Sequence, residues 1–151
     1  MKNQELIGRF ISCIYRYSQF NIAKKLYFYK IGRGQFSFLM TLYNRDGISQ
    51  ENIAKKVRID KSTAARAVKK LMDEGYVIKE RDLSDKRAYK VFLTEKAIKI
   101  KPEIIKIVSE WSEALLSDFT EEERKILIKF LKKIVKNADQ YFRINGQIYE
   151  Q

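Results

Sequence analysis

A short stretch near the middle of the chain concentrates basic and hydroxyl side chains at helical spacing. Residues 55–70 carry seven Lys and Arg side chains against one acid, Asp60. Ser62 and Thr63 follow that acid, and Arg66 lies about one helical turn beyond them on the same face. Hydroxyl and free backbone N–H groups at a helix N-terminus bind phosphate, and an arginine can chelate the O6 and N7 atoms of guanine. The stretch therefore predicts contact with the phosphates and base edges of duplex DNA.

The net charge of the chain is concentrated around this stretch. The 151 residues include 31 Lys and Arg, 19 Asp and Glu and no His, which gives a formal net charge of +12. Residues 55–101 hold fifteen of the basic side chains and seven of the acids, whereas residues 102–151 hold eight and nine. A basic excess favours a nucleic acid or an anionic membrane surface as partner. Its location favours duplex DNA over a merely solvated surface, with a basic RNA- or protein-binding module as the alternative.

The residue types that most enzymes and metal sites need are scarce. Cys13 is the only cysteine and there is no histidine, so a disulfide within the chain and a metal site built from His and Cys are excluded. No glycine-rich phosphate-binding loop is present, and acids such as Glu121 and Glu123 fit a helix cap better than a catalytic pair. No run of about eighteen apolar residues could span a membrane. We therefore expect a cytoplasmic protein that is not an enzyme and has no cofactor.

The elements that must position the basic stretch follow from the spacing of apolar residues. One apolar stripe predicts a first helix from Leu6 to about residue 30, and a second helix follows and stops near residue 46. Ser49 and Asp60 are the predicted N-caps of a third and a fourth helix. Gly75 ends the fourth helix, because glycine adopts the left-handed conformation at little cost.

The period of the pattern changes to two after the fourth helix. Residues 77–81 and 88–93 are two predicted strands, joined by a charged loop at residues 82–87. The order helix, turn, helix, hairpin is that of a winged helix-turn-helix, with a small two- or three-stranded antiparallel wing. The sequence thus predicts a mainly α fold in which the fourth helix enters the major groove.

The remaining third of the chain is predicted to be helical. Thr94 caps the next helix, and Pro102 must begin, bend or break a helix. A capping box at Thr120 opens the last helix, which extends to about Arg143. The first helix and these last helices carry more apolar positions than a small winged domain could cover, which favours a partner chain.

An ordered set of motifs identifies a resemblance that covers essentially the whole chain. The motifs are QFSFL (35–39), ISQENIA (48–54), DKSTAAR (60–66), LMDEGY (71–76), DKRAY (85–89) and LTEKA (93–97). In this order they resemble the MarR family of transcriptional regulators. The resemblance implies a repressor that binds a pseudo-palindromic operator as a homodimer, with Arg66 in the major groove and Arg87, oriented by Asp85, in the minor groove. Two-fold symmetry then predicts half-sites about 34–36 Å apart.

The resemblance and the charge pattern together define the expected organisation and DNA-contacting set. The chain is expected to be one domain over residues 1–151, with a DNA-binding lobe at 31–98 and dimerisation helices at 1–30 and 99–151. The expected DNA contacts are Ser49, Gln50, Lys61, Ser62, Thr63, Arg66, Lys69, Lys70, Arg81, Asp85, Lys86 and Arg87.

The resemblance also implies a small aromatic or phenolic effector, bound between the dimerisation helices and the DNA-binding lobe. The candidate lining residues are Arg16, Tyr17, Phe36 and Tyr43, together with Arg9 and Tyr15. Aromatic residues at helical spacing more often belong to the core, so that interpretation stays beside the ligand site.

Cys13 supports a second hypothesis, since some members of this family sense hydroperoxides through a cysteine in the first helix. A reactive thiol needs donors nearby, and Arg9 and Arg16 lie about one turn away. A buried structural cysteine is the favoured interpretation.

Overall fold

The computed structural model describes residues 6–145. Residues 1–5 and 146–151, the outer ends of the predicted dimerisation segments, lie outside the described residues. The elements in chain order are α1 (Ile7–Lys25), a 3-10 turn (Tyr27–Tyr29), α2 (Arg33–Asn44), β1 (Ile48–Ser49), α3 (Gln50–Val57), α4 (Lys61–Asp73), β2 (Val77–Arg81), β3 (Tyr89–Leu93), α5 (Glu95–Leu115) and α6 (Glu121–Asn145). The mainly helical fold with a winged helix-turn-helix is confirmed.

The wing is a three-stranded antiparallel sheet with strand order β1-β3-β2. Val77 lies opposite Leu93 and Arg81 lies opposite Tyr89, so β2 and β3 form the predicted hairpin. The short strand β1 adds a third member, in which Ser49 pairs with Lys90. The residue that begins the helix-turn-helix is therefore bonded directly into the wing.

The predicted helix caps are all present. The Ser49 hydroxyl accepts the backbone N–H of Asn52 at 3.1 Å, and an Asp60 carboxylate oxygen accepts that of Thr63 at 2.8 Å. Thr94 caps α5 in the same way. Each cap satisfies a backbone donor that has no partner within its own helix. These three residues therefore set where α3, α4 and α5 begin.

The end of α4 is a Schellman motif, as the glycine predicts. Gly75 has φ +75°, its N–H bonds to the Met72 carbonyl at 2.9 Å, and the N–H of Tyr76 bonds to the Leu71 carbonyl at 2.8 Å. Tyr76 is buried, and its hydroxyl donates to the Tyr29 carbonyl at 2.7 Å. The chain therefore turns sharply from α4 into the wing.

One helix boundary differs from the sequence-based expectation. Helix α1 ends at Lys25, and a 3-10 turn fills the gap before the glycine-rich run. Pro102 lies inside α5 and neither begins nor breaks it, although a proline there lacks the N–H that would bond to the carbonyl of residue 98.

The capping box at Thr120 is confirmed, since Thr120 N–H donates to a Glu123 carboxylate oxygen at 2.8 Å and Glu123 N–H donates to the Thr120 hydroxyl at 3.3 Å.

The core lies between the helix-turn-helix, the wing and the start of α5. It includes Phe38, Leu39, Ile53, Val68, Leu71, Val91 and Ile104, all fully buried. By contrast, α1 buries none of its side chains, and none is buried between residues 121 and 143 of α6. Both helices therefore present apolar side chains that the described part of the chain does not cover.

Candidate nucleic-acid interface

The first turn of α4 is organised around the carboxylate of Asp60. One carboxylate oxygen accepts the Ser62 hydroxyl at 2.6 Å, and the other accepts the Thr63 hydroxyl at 2.6 Å. The bonds from Ser62 and Thr63 hold the pKa of Asp60 well below its ordinary value. Both hydroxyls therefore donate their hydrogen bonds to Asp60, and only their oxygen lone pairs remain to accept further hydrogen bonds. The sequence predicted that both hydroxyls contact DNA, but it did not indicate that both are hydrogen-bonded to Asp60.

Arg66 is attached to the same network. Its Nη2 atom donates to the Thr63 hydroxyl oxygen at 3.1 Å, so Asp60, Thr63 and Arg66 form one chain of hydrogen bonds. The arginine is exposed, and its exposed neighbour Ala65 adds little bulk. An arginine held in this way loses less conformational freedom when it binds a ligand. The predicted base-reading residue therefore lies on the surface, oriented toward the N-terminal turn of α4.

The other predicted basic residues of α4 are on the surface as well. Lys61, Lys69 and Lys70 are exposed. The ammonium group of Lys69 pairs with the Asp73 carboxylate at 3.2 Å across one helical turn. Because both side chains are largely exposed, this ion pair is weak and can open for a phosphate.

Two of the predicted DNA contacts, Ser49 and Gln50, lie at the start of α3. The pKa of Glu51 is lowered first by a hydrogen bond from Lys55 and further by the charges of Lys55 and Lys61. Ser49 uses its hydroxyl as a cap, and Gln50 has a buried amide oxygen without a hydrogen-bond partner. The two predicted α3 contacts are therefore partly turned into the protein.

The wing loop is held by two acids. Asp82 accepts the backbone N–H and the hydroxyl of Ser84, at 2.9 and 2.7 Å, and these bonds with the nearby Lys90 lower its pKa to about 2. Asp85 accepts the backbone N–H of Arg87 at 3.0 Å. Asp85 thus orients the backbone at Arg87, whereas the resemblance implied that it orients the side chain. Sequence reasoning missed Asp82, although its position two residues before a serine is typical of such a turn.

The predicted basic contacts of the hairpin are all exposed: Arg81, Lys86 and Arg87. Arg81 lies 6.0 Å from the centre of the Tyr89 ring, and its Nε atom donates to the Tyr89 hydroxyl at 3.4 Å. This contact raises the pKa of Arg81. Arg81 is therefore held against the strand, while Lys86 and Arg87 lie at the tip of the loop.

The ladder of β1 and β3 connects these two basic surfaces. Ser49 pairs with Lys90 in the wing and also caps α3, which packs against α4. Helix α3 therefore joins the wing at its start and packs against α4 along its length. We refer to the exposed basic residues of α4 and of the wing tip together, Lys61, Arg66, Lys69, Lys70, Lys86 and Arg87, as the basic face.

A cavity of about 620 Å³ lies where the effector site was expected, but its lining differs from the prediction. Tyr15 and Arg16 line it as predicted. The residues that sequence reasoning missed are Gln19, Phe20, Arg33, Gly34, Ser37, Val57, Ile59 and Thr63. Phe20 lies one turn after Arg16, so helical spacing could have identified it. The cavity therefore extends from α1 to the first turn of α4.

Tyr43 was wrongly assigned to the cavity. Its side chain is buried in the core, where its hydroxyl donates to the Ala97 carbonyl at 2.7 Å. Burial, with a smaller effect of Tyr76, raises the pKa of Tyr43 to about 12. Phe36 packs against the same core, and Tyr17 is exposed on α1, so neither is among the residues that line the cavity.

Cys13 is exposed in the single described chain, whereas a buried structural cysteine was the favoured interpretation. The reason is that α1 buries no side chain against the rest of its own chain. Across residues 6–145, no group of three His, Cys, Asp or Glu side chains could hold a metal ion. None of the helices described is long and apolar enough to cross a membrane.

Comparisons with known proteins agree on one family. The MarR family profile matches residues 31–89. The helix-turn-helix transcriptional regulator YybA of Bacillus subtilis is 37% identical over 108 residues, which cover 72% of each chain. The crystal structure of a MarR transcriptional regulator from Methanosarcina mazei is 47% identical, covers 93% of this chain and 94% of that one, and superposes with a TM-score of 0.86. A MarR family regulator from Listeria monocytogenes in complex with 26mer DNA is 31% identical over 93% of both chains, with a TM-score of 0.75. The winged fold, its exposed basic residues and these likenesses show that the chain belongs to the MarR family of transcriptional regulators.

Proposed function

We propose that this protein is a sequence-specific regulator that binds duplex DNA as a homodimer through the basic face. Helix α4 enters the major groove, and the wing tip with Arg87 reaches the adjacent minor groove. The observation that carries the proposal is the hydrogen-bonded chain of Asp60, Thr63 and Arg66, which ties an exposed arginine to the first turn of α4. Arginine in a fixed orientation suits bidentate contact with guanine.

The distribution of charge supports the same DNA-binding lobe, which we assign to residues 31–98. Lys61, Lys69 and Lys70 flank Arg66 on α4 and can contact phosphates on either side of a base-reading arginine. Lys86 and Arg87 extend this charge at the tip of the wing. An arginine there is attracted to the negative potential of a narrow, A·T-rich minor groove. The relative from Listeria monocytogenes in complex with 26mer DNA supports DNA as the partner.

The uncovered apolar surfaces of α1 and α6 support a homodimer. On α1 the exposed side chains include Phe10, Ile11 and Ile14, and on α6 they include Ile126, Phe130, Leu131 and Val135. Contiguous apolar faces of this kind mark protein interfaces. A two-fold dimer places two copies of α4 about 34–36 Å apart, which corresponds to one helical turn of DNA between half-sites.

Selection of bound sequences from random duplex DNA tests this function. We expect a pseudo-palindromic site whose half-sites are centred about 10 base pairs apart. Binding to the selected duplex should weaken steeply as salt increases, because phosphate contacts release counterions. Selection that returns no shared sequence, or equal affinity for an RNA duplex across the salt series, would contradict the proposal.

We also propose that the protein represses transcription in the cytoplasm and that an aromatic carboxylate releases it from DNA. The cavity brings Tyr15 and Phe20 together with the cations Arg16 and Arg33, which suits an aromatic anion. Thr63 also lines the cavity and carries the hydrogen bond from Arg66. A ligand in the cavity can therefore change the position of the base-reading arginine.

Calorimetric titration with salicylate and benzoate tests the effector. We expect heat of binding and weaker affinity for the operator in the wild type, and loss of both effects in Arg16→Ala. Tyr17→Phe, on the same helix but outside the cavity lining, is the control and should respond like the wild type. No heat and no change in operator affinity with either compound would rule these ligands out.

A further inference from the structure

An ion pair joins the last helix to the connection between the two helices of the helix-turn-helix. The Nε and Nη2 atoms of Arg58 donate to the two carboxylate oxygens of Asp139, at 2.6 and 2.5 Å. Both side chains are partly covered, with exposed fractions of 44% and 34%. Hydrogen bonding to Arg58, together with its charge and that of Arg143, lowers the pKa of Asp139, so the carboxylate is ionised at neutral pH. Paired donors of this kind fix direction as well as distance.

The Arg58 end of this pair is built rigidly into the lobe. Arg58 has φ +60°, a left-handed conformation that a non-glycine residue rarely adopts. Its own N–H bonds to Lys55 and the N–H of Ile59 bonds to Ala54, at 3.3 and 3.1 Å. Helix α4 begins three residues after Arg58, so whatever holds Arg58 also holds the start of α4.

The Asp139 end borders the apolar side chains of α6. Helical spacing places Asp139 about one turn from both Val135 and Phe142, which are exposed. Near its beginning, α6 is fastened to α5 by Arg124, which donates to a Glu113 carboxylate oxygen at 2.8 Å. Asp139 lies fifteen residues further along, at a distance of about 22 Å. The ion pair therefore fastens the distal end of α6, next to the surface proposed for the dimer.

We propose that Arg58 and Asp139 are positioning residues that set the angle and spacing of α4 relative to the dimer interface, and thereby the half-site spacing that the protein selects. This rests on the proposed DNA-binding homodimer. The pair joins the recognition lobe to the helix that faces the partner chain. Without it, the lobe remains folded and can still contact a half-site, but its orientation relative to the second lobe is less restricted.

The test compares two variants on an operator series. Asp139→Asn removes the carboxylate charge, and Arg58→Lys keeps the positive charge but removes the paired donors. Asp118→Asn and Arg45→Lys are the matched controls. They make the same chemical changes at exposed residues outside the ion pair. Affinity is measured for a single half-site and for two half-sites whose centres are about 8 to 14 base pairs apart, which brackets the spacing of one helical turn. Sedimentation and thermal unfolding check assembly and folding.

For both variants we expect a loss of roughly three- to tenfold on the best-spaced operator, unchanged affinity for the single half-site, and a broader spacing preference. The direction for Asp139→Asn is informative, since removal of a negative charge by itself would strengthen binding to DNA. Asp139→Glu should recover part of the loss, because it restores a carboxylate.

Three results would overturn the inference. Both variants could bind every operator as the wild type does. They could lose the same factor on the half-site as on the paired site, which would assign the pair to the stability of the lobe. They could become monomeric, which would show that the Arg58–Asp139 pair is needed for dimer formation. If the wild type itself shows no spacing preference, the dimeric function fails as well, and the two failures are distinguished by the wild-type series alone.

Discussion

The guanidinium group of Arg66 is hydrogen-bonded to the hydroxyl of Thr63, 3.1 Å away and one turn earlier on α4. Thr63 is in turn bonded to Asp60, the residue that caps the helix. The cap thus does two things, since it begins the helix and supports the side chain that is proposed to read bases. This coupling explains why a helix-capping acid sits in a segment that is otherwise strongly basic.

Replacing Arg66 with alanine should weaken binding to the selected operator by about 1–3 kcal/mol and relax the preference at one base pair in each half-site. The loss follows from the removal of the paired donors that would contact guanine. Competition binding against operators with single base changes measures it. Arg45→Ala, which removes an exposed arginine outside the basic face, is the control. Operator affinity and base preference equal to those of the wild type would refute the role of Arg66.

Replacing Arg87 with alanine should lower affinity and remove a preference for A·T base pairs beside the half-sites. The reason is that a narrow A·T-rich groove attracts the guanidinium charge. Binding is compared on operators whose flanks are A·T-rich or G·C-rich. Arg45→Ala, which removes an exposed arginine outside the basic face, is the control. A variant that keeps the flank preference would show that the wing tip does not enter the minor groove.

Replacing Lys69 with alanine should weaken binding on every sequence and make the salt dependence less steep. A lysine that contacts phosphate releases about one counterion, so the slope of log affinity against log salt should decrease by about 1. The measurement is a salt titration on operator and unrelated DNA. Lys133→Ala, an exposed lysine of α6, should leave the slope unchanged. An unchanged slope for Lys69→Ala would place this lysine outside the interface.

Replacing Phe130 with aspartate should convert the dimer into a monomer. Phe130 is 54% exposed in the single chain, and a charge buried in an apolar interface without a partner is strongly unfavourable. Sedimentation velocity over a range of protein concentrations measures the change. Ile98→Asp, at a residue with 55% exposure on α5, is the control and should remain dimeric. A Phe130→Asp protein that is still dimeric would exclude this face of α6 from the interface.

Replacing Tyr43 with phenylalanine should lower the free energy of unfolding by about 0.5–1.5 kcal/mol at neutral pH, because the buried bond to the Ala97 carbonyl is lost. The pKa of Tyr43 is raised from 10.0 to about 12, so its contribution is fully present below pH 10 and is lost as the pH rises toward 12. The difference between wild type and variant should therefore decrease over that interval.

Urea unfolding at fixed protein concentration from pH 7 to pH 11.5 measures this difference. Tyr17→Phe, which removes an exposed hydroxyl, should follow the wild type at every pH. A difference between wild type and Tyr43→Phe that is constant over the whole range would contradict the assignment of Tyr43 to the core.

Much of the fold could be predicted from the sequence because its signals are local. Ser49, Asp60 and Thr94 each cap a helix a few residues away, and Gly75 is needed where the backbone turns left-handed. The change of apolar period from helical to alternating marks the wing. The concentration of Lys and Arg between residues 55 and 101 indicates the partner, since charge attracts a polyanion wherever the fold exposes it.

The sequence by itself determined the order of the elements, their caps and the basic segment, which all depend on residues close together in the chain. Only the tertiary structure decided which aromatics are core and which line the cavity, as Tyr43 and Phe20 illustrate. It also decided that β1 joins the wing and that Arg58 meets Asp139, 81 residues away. Contacts between distant residues depend on how whole elements pack, and neither periodicity nor local propensity carries that information.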